Sequence, residues 1–270
     1  AVGDIHTYKF YSFDYYDAVF CSGPGQAESL RRLEELRGTS RKDLPLLGCP
    51  YLDVYAARAE QVGVPEPRTI LVAPTWGRNG LLTRTGSLVP KLLASAGYHV
   101  ILRPHPQSFI SDREVMERVA ADLQTCKNVE WDRNPDGFSS LSRASLMVSD
   151  VSGVIFDFAF VFLRPVISVG NGPLKEGFEA WEIPHEAWEM KALDQIGRRV
   201  PAGNESVIPT MVEEMLGDLT TQTEAIRRVR DENVVNFGHA GGPIADALVA
   251  AAQAHSVQLQ SSLHSSVEAA

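Results

Sequence analysis

From Arg68 onward, short apolar runs alternate with stretches whose apolar positions recur at helical spacing. Thr69-Ile-Leu-Val-Ala73 reads as a strand stopped by Pro74, and Ser87 to Ala96 as a helix closed by Gly97. Tyr98-His-Val-Ile-Leu102 is the next strand, stopped by Pro104. Ser111-Asp-Arg-Glu114 has the spacing of a capping box and predicts a helix reaching about Thr125. A short strand over Asn128 to Trp131, a weak helix over Gly137 to Arg143, and a strand over Ser145 to Ser149 follow. Val151 to Leu163 then reads as a buried helix and Val166-Ile-Ser-Val169 as a further strand. Strands repeating with helices at this pace predict a parallel sheet covered on both faces, a doubly wound (Rossmann-like) α/β domain.

The flanks differ. Ala18-Val-Phe-Cys21 and Leu44 to Leu47 read as strands on either side of a helix over Gly25 to Leu36, part of a second α/β unit. Val64-Pro-Glu-Pro67 reads as a hinge, since two prolines in four residues resist helix and sheet. After Gly172 the pattern is helical over Ser206 to Leu216, Thr220 to Asp231 and Gly242 to Ala254, and periodicity is lost beyond Ser256. The expected division is residues 1–63 as the end of one α/β domain, 64–255 as a complete one and 256–270 as a fraying tail. The first residues read as mid-protein sequence, so the chain is expected to begin inside a larger protein.

Composition narrows the classes. Among 270 residues, 44% are hydrophobic and 22% charged, as in ordinary globular proteins. A formal charge of −9 argues against a nucleic-acid partner, because phosphate backbones need clustered cations. Three cysteines without metal-ligand spacing exclude a disulfide scaffold or a zinc module. The longest apolar run, Val151 to Leu163, is shorter than the roughly 20 residues of a bilayer helix and contains Asp157.

In open α/β sheets, ligands sit beyond the C-terminal ends of the strands. Three unusual clusters fall there: Pro74-Thr75-Trp76-Gly77, Arg103-Pro104-His105-Pro106 and Asp150-Val151-Ser152-Gly153. In the third, the N–H groups of a helix start, the Ser152 hydroxyl and the bare Gly153 suit phosphate oxygens. A plain helix cap by Asp150 or Ser152 is the alternative. Asp157, inside the apolar helix, needs a partner. Arg103 can fork onto a phosphate, and the two prolines mount the His105 imidazole rigidly beside it. The competing reading is a strand-ending turn. His239, in Gly238-His-Ala-Gly-Gly242, is either a cap element or a ligand contact. No phosphate-binding loop of NTPases, dinucleotide fingerprint or nucleophile elbow is present.

Taken in order, Ala73-Pro-Thr-Trp76, Leu102-Arg-Pro-His-Pro106, Ser149-Asp-Val-Ser-Gly-Val-Ile-Phe-Asp157 and Arg164-Pro-Val-Ile167 resemble the CDP-glycerol glycerophosphotransferases, the teichoic-acid primase and polymerase family. The resemblance implies a two-domain GT-B fold with the donor held by the C-terminal domain. It also implies a cytoplasmic enzyme, peripheral at the inner membrane face, that transfers glycerol phosphate from CDP-glycerol to a lipid-linked or polymer acceptor, with no cofactor or metal. It makes His105 a catalytic or phosphate-contacting residue with Arg103 beside it. Thr75, Asp150, Ser152, Gly153 and Asp157 become donor-site positions, and Trp76 and His239 possible ones. Departures are Val151 and Gly153 in the Asp-Tyr-Ser-Ser segment, Gly77 after Trp76, and a missing His-Gly-Thr-Pro segment. A nucleotide-sugar glycosyltransferase or epimerase on the same fold, and an inactive nucleotide-binding module, remain open alternatives.

Overall fold

The structure, a computed structural model, describes residues 2–150, 152–170, 172 and 175–268, the last fourteen of these by backbone alone. Its centre is a six-stranded parallel sheet: β1 (Thr69–Val72), β2 (His99–Leu102), β3 (Val129–Trp131), β4 (Leu146–Ser149), β5 (Val166–Val169) and β6 (Gly197–Val200). The spatial order is β3-β2-β1-β4-β5-β6. The chain therefore winds outward from β1 through β2 to β3, then returns to β4 on the other side of β1. Connections leave the C-terminal ends of β1 and β4 in opposite directions, which opens a crevice there.

Ahead of the sheet come α1 (Pro24–Arg37) and α2 (Pro50–Ala59). Between strands lie α3 (Leu81–Thr85), α4 (Leu88–Ser95), α5 (Ser108–Ser111), α6 (Arg113–Leu123), α7 (Phe138–Arg143), α8 (Val154–Phe162) and α9 (Trp188–Ile196). The chain closes with α10 (Ile208–Leu216), α11 (Leu219–Asn233) and α12 (Gly241–Glu268).

Alternation along the strands divides the core in two. Leu71, Ile101, Met147 and Val166 face a cluster containing Phe156, Phe160, Leu193 and Ile226. Ile70, Val72, Val100, Leu102, Val148 and Ile167 face the other, with Leu93, Val119 and Val212. The central strands β1 and β4 are buried at every position, as a sheet covered on both faces requires.

Several expectations are corrected. The Gly197–Val200 strand is missing from the sequence reading because it carries Arg198 and Arg199, exposed at the sheet edge and paired with Glu214 and Asp194. Helix α2 was also not anticipated; it packs Leu52 and Tyr55 into the core beside α8. The two expected strands near the N-terminus are reduced to isolated parallel bridges, Ala18 with Asp43 and Cys21 with Leu46. The Ser111–Glu114 capping box does not form: Asp112 is the N-cap of α6 without a side-chain cap bond. The Pro65-Glu66-Pro67 segment is tied down, with Glu66 bonded through its backbone to Arg143 and Ser145. Helix α12 runs from Gly241 to Glu268, through the stretch where the apolar periodicity is lost.

Candidate functional site

The loop after β1 is the best-fixed wall of the crevice. The buried Asp150 carboxylate, at the end of β4, accepts from the Thr75 amide at 2.8 Å and from the Leu81 amide at 2.7 Å. One side chain thus pins both ends of the loop across the point where the strand order reverses. Burial pushes its pKa up, while the two amides act in the opposite direction. A second carboxylate, Asp112, accepts from the Gly77 amide at 2.8 Å, which is where the expected capping group has gone. Two glycines let the loop fold this tightly. Gly77 sits at φ +86°, and a Cβ on Gly80 would lie 2.6 Å from the Thr75 carbonyl oxygen.

Against this loop lies a cavity of about 590 Å³. Thr75, Trp76, Gly77, Arg78 and Asn79 form one side, and Asp150, Val169, Gly170 and Gly172 the floor beyond β4 and β5. Thr7, Phe178 and Ala202 complete the wall. Arg84 crosses it, donating to the Val169 carbonyl at 3.0 Å and the Asn79 carbonyl at 2.9 Å. Arg78 is exposed on the rim. Neither arginine was singled out from sequence, and neither were Gly170 and Phe178. The available signal was the pair Gly170 and Gly172 at the end of β5, whose importance depends on the strand order.

Helix α8 begins just past Asp150. No side chain caps it. The Ser152 carbonyl accepts from Ile155, and the Gly153 carbonyl from Phe156 and Asp157. The first amides of a helix have no intrahelical acceptor and carry partial positive charge. A Cβ on Gly153 would meet nothing within 4 Å among the described residues. The cap reading is therefore corrected: Asp150 is spent on the β1 loop, and among the described residues no side chain, Ser152 included, caps α8. Val151 lies outside the described residues.

The Arg103 and His105 pair splits. Arg103 turns inward, donating to buried Asp132 at 2.6 Å and to the Asn134 carbonyl at 2.9 Å, and lines a separate hollow of about 100 Å³. Its guanidinium is a structural brace in this arrangement. His105 stays exposed, its ring centroid 6.3 Å from that of half-exposed Trp76 at an interplanar angle of 34°. Partial burial lowers its pKa. The Pro74 carbonyl accepts the His105 amide at 3.2 Å, which ties the β2 loop to the β1 loop.

Two other expected residues lie elsewhere. Asp157 is half-buried on α8, the helix that packs against α2, and burial raises its carboxyl to about 7. His239 is exposed ahead of α12, whose start is capped by the Asp53 carboxylate through the Ala240 and Gly241 amides. Neither lines the cavity. Of the expected residues, Thr75, Trp76 and Asp150 line the cavity; His105 lies beside Trp76, and Ser152 and Gly153 follow Asp150 at the start of α8, these three outside the lining. Among the described residues, no three His, Cys, Asp or Glu side chains are grouped to hold a metal ion. No helix among them is long and apolar enough to cross a membrane.

The six-stranded parallel sheet flanked by helices is an α/β fold of the GT-B type. Two solved structures make the likeness specific. The wall teichoic acid polymerase TagF matches 88% of this chain and 58% of its own, with 18% identity and a TM-score of 0.56. The UDP-GlcNAc 2-epimerase from Neisseria meningitidis, bound to UDP-GlcNAc, matches 86% of this chain and 61% of its own, with 14% identity and a TM-score of 0.56. The chain therefore spans about three-fifths of the solved chains it matches. No protein-family model and no curated protein matches it.

Proposed function

We propose that this chain is the donor-binding part of an enzyme that transfers a polyol phosphate, with glycerol phosphate the leading candidate, from a CDP-activated donor to a surface-polymer acceptor. The observation that carries the reading is the 590 Å³ cavity at the β1/β4 crossing, lined by Thr75, Trp76 and Asp150; the start of α8 follows Asp150 in the chain, and the exposed His105 lies beside Trp76. Phosphoryl transfer depends mainly on positioning and on stabilising charge, so such a site needs donors and cations more than a nucleophile. Ser152 and the α8 amides would take the donor phosphates. His105 would meet charge on the departing nucleotide, and Arg103 would act by bracing the loop that carries it. Thr75 would shape the donor cavity, with Trp76 beside the imidazole. Asp157 and His239 keep no role on the donor in this proposal. Likeness to TagF, one structure of which was soaked with CDPG, favours this chemistry. The acceptor would be lipid-linked or polymeric, and with a lipid-linked one the enzyme would work as a cytoplasmic protein peripheral to the inner membrane face.

A second reading has its own support: the UDP-GlcNAc 2-epimerase matches the chain as well as TagF does. A nucleotide-sugar enzyme would use the same cavity with a UDP donor.

Isothermal titration of the chain with CDP, CDP-glycerol and UDP separates the two. CDP and CDP-glycerol should bind, and Ser152→Ala and His105→Ala should each weaken binding roughly tenfold, the worth of one hydrogen bond to a charged group. Tighter binding of UDP than CDP favours the nucleotide-sugar reading. Wild-type affinity no better than that of both variants removes the site assignment. Donor binding without CMP release, measured with acceptor present, would identify an inactive module.

A further inference from the structure

The imidazole of His105, beside Trp76 of the cavity wall, is held in one of its two neutral forms. His105 and Gln107 lie in a tight turn closed by the Ser108 amide donating to the His105 carbonyl at 2.9 Å. Within that turn the Gln107 backbone amide points back at the imidazole and donates to Nδ1 at 3.1 Å. An imidazole nitrogen that accepts a hydrogen bond cannot carry a proton, so in the neutral ring the proton resides on Nε2. Prolines on both sides of His105 limit the backbone rearrangement that would free Nδ1.

The consequence is a direction for the chemistry. A base must present a lone pair to the proton it takes, and the outward nitrogen of this ring has none while the ring is neutral. What it presents is an N–H. We propose that His105 acts through Nε2–H as a hydrogen-bond donor to a phosphoryl oxygen of the bound nucleotide, fixed in that tautomer by the Gln107 amide, and not as the base that activates an acceptor hydroxyl. This inference rests on the donor-binding reading above. It adds which nitrogen works and which backbone group sets it. A base for the acceptor must then come from a group other than His105.

Three variants and one spectrum test it. Gln places an amide N–H near the position of Nε2, whereas Asn places its amide near that of Nδ1. With CDP as the probe, His105→Gln should bind within about threefold of wild type, while His105→Asn and His105→Ala should both lose roughly tenfold, the loss of one charge-assisted hydrogen bond. In parallel, ¹⁵N NMR of the imidazole in the unliganded wild-type chain should show a protonated Nε2 and an unprotonated Nδ1 above the ring's titration. A neutral ring protonated at Nδ1, in a chain that binds CDP, overturns the proposal and leaves the donor reading standing. So does a His105→Gln variant as weak as His105→Ala. A wild-type chain that does not bind CDP overturns both.

Discussion

The loops after β2 and β4 carry the two polar clusters that look most alike in sequence, each a charged residue at a strand end followed by a small turn. Their charged residues have the same fate and their neighbours do not. Arg103 is drawn back onto buried Asp132, and Asp150 onto the amides of Thr75 and Leu81. In both loops the strand-end charge becomes scaffold. The residue two positions on, His105 or Ser152, is more accessible than the charge before it, and among the described residues no side-chain hydrogen bond holds Ser152 or the His105 Nε2 to the scaffold. The pattern has a physical cause. A charge beside the end of a buried strand must be compensated at once, because leaving it unpaired in the interior is costly. The turn that follows reaches solvent, where a polar group can wait for a ligand.

The sharpest way to break this comparison is Arg103→Ala. If the arginine is scaffold, removing it strands a buried carboxylate and should cost about 3–5 kcal/mol of stability, read by urea unfolding. Unchanged stability with weakened CDP binding would return Arg103 to the ligand side. Asp150→Ala comes next. Two buried amides lose their acceptor, which should cost about 2–4 kcal/mol and loosen the Trp76 loop, seen as faster amide exchange over residues 75–81. Ser152→Ala is the contrast, with stability within about 0.5 kcal/mol of wild type despite its loss of donor affinity.

The smallest effect concerns pH and His105. Burial lowers its pKa in the folded chain, so below the ordinary value near 6.5 the unfolded chain binds more protons than the folded one. By linkage, stability is full above about pH 6.5 and declines as pH falls through the folded pKa. Thermal unfolding of wild type and His105→Gln, compared at about pH 7.5 and about pH 5.5, should show the wild type losing more on acidification. Parallel behaviour of the two proteins would mean that the ring is not desolvated.

Much of this was legible in the residues. Apolar runs of four or five residues ending at Pro74, Pro104 and Asp150 can be satisfied only by a sheet covered on both faces, and β1, β2 and β4 lie where those runs do. Edge strand β6 was not legible, because an edge needs no apolar pattern and its arginines obscure the little there is. Helix α3 leaves no periodic signal in the sequence, since it has only five residues and depends on Asp150 holding the Leu81 amide at its start.

For the site, sequence determined the location. Stiff, small and polar residues collect at strand ends because the backbone there leaves the sheet, and that is a local property. It did not determine which of them face a ligand. Asp112 had the spacing of a capping residue and instead holds Gly77, 35 residues earlier, while Arg103 had the chemistry of a phosphate clamp and instead braces Asp132. Both choices turn on partners brought close only by the order of the strands. A side chain's propensities are written in its own stretch of sequence, but whether its charge is already compensated depends on the neighbour that tertiary structure supplies.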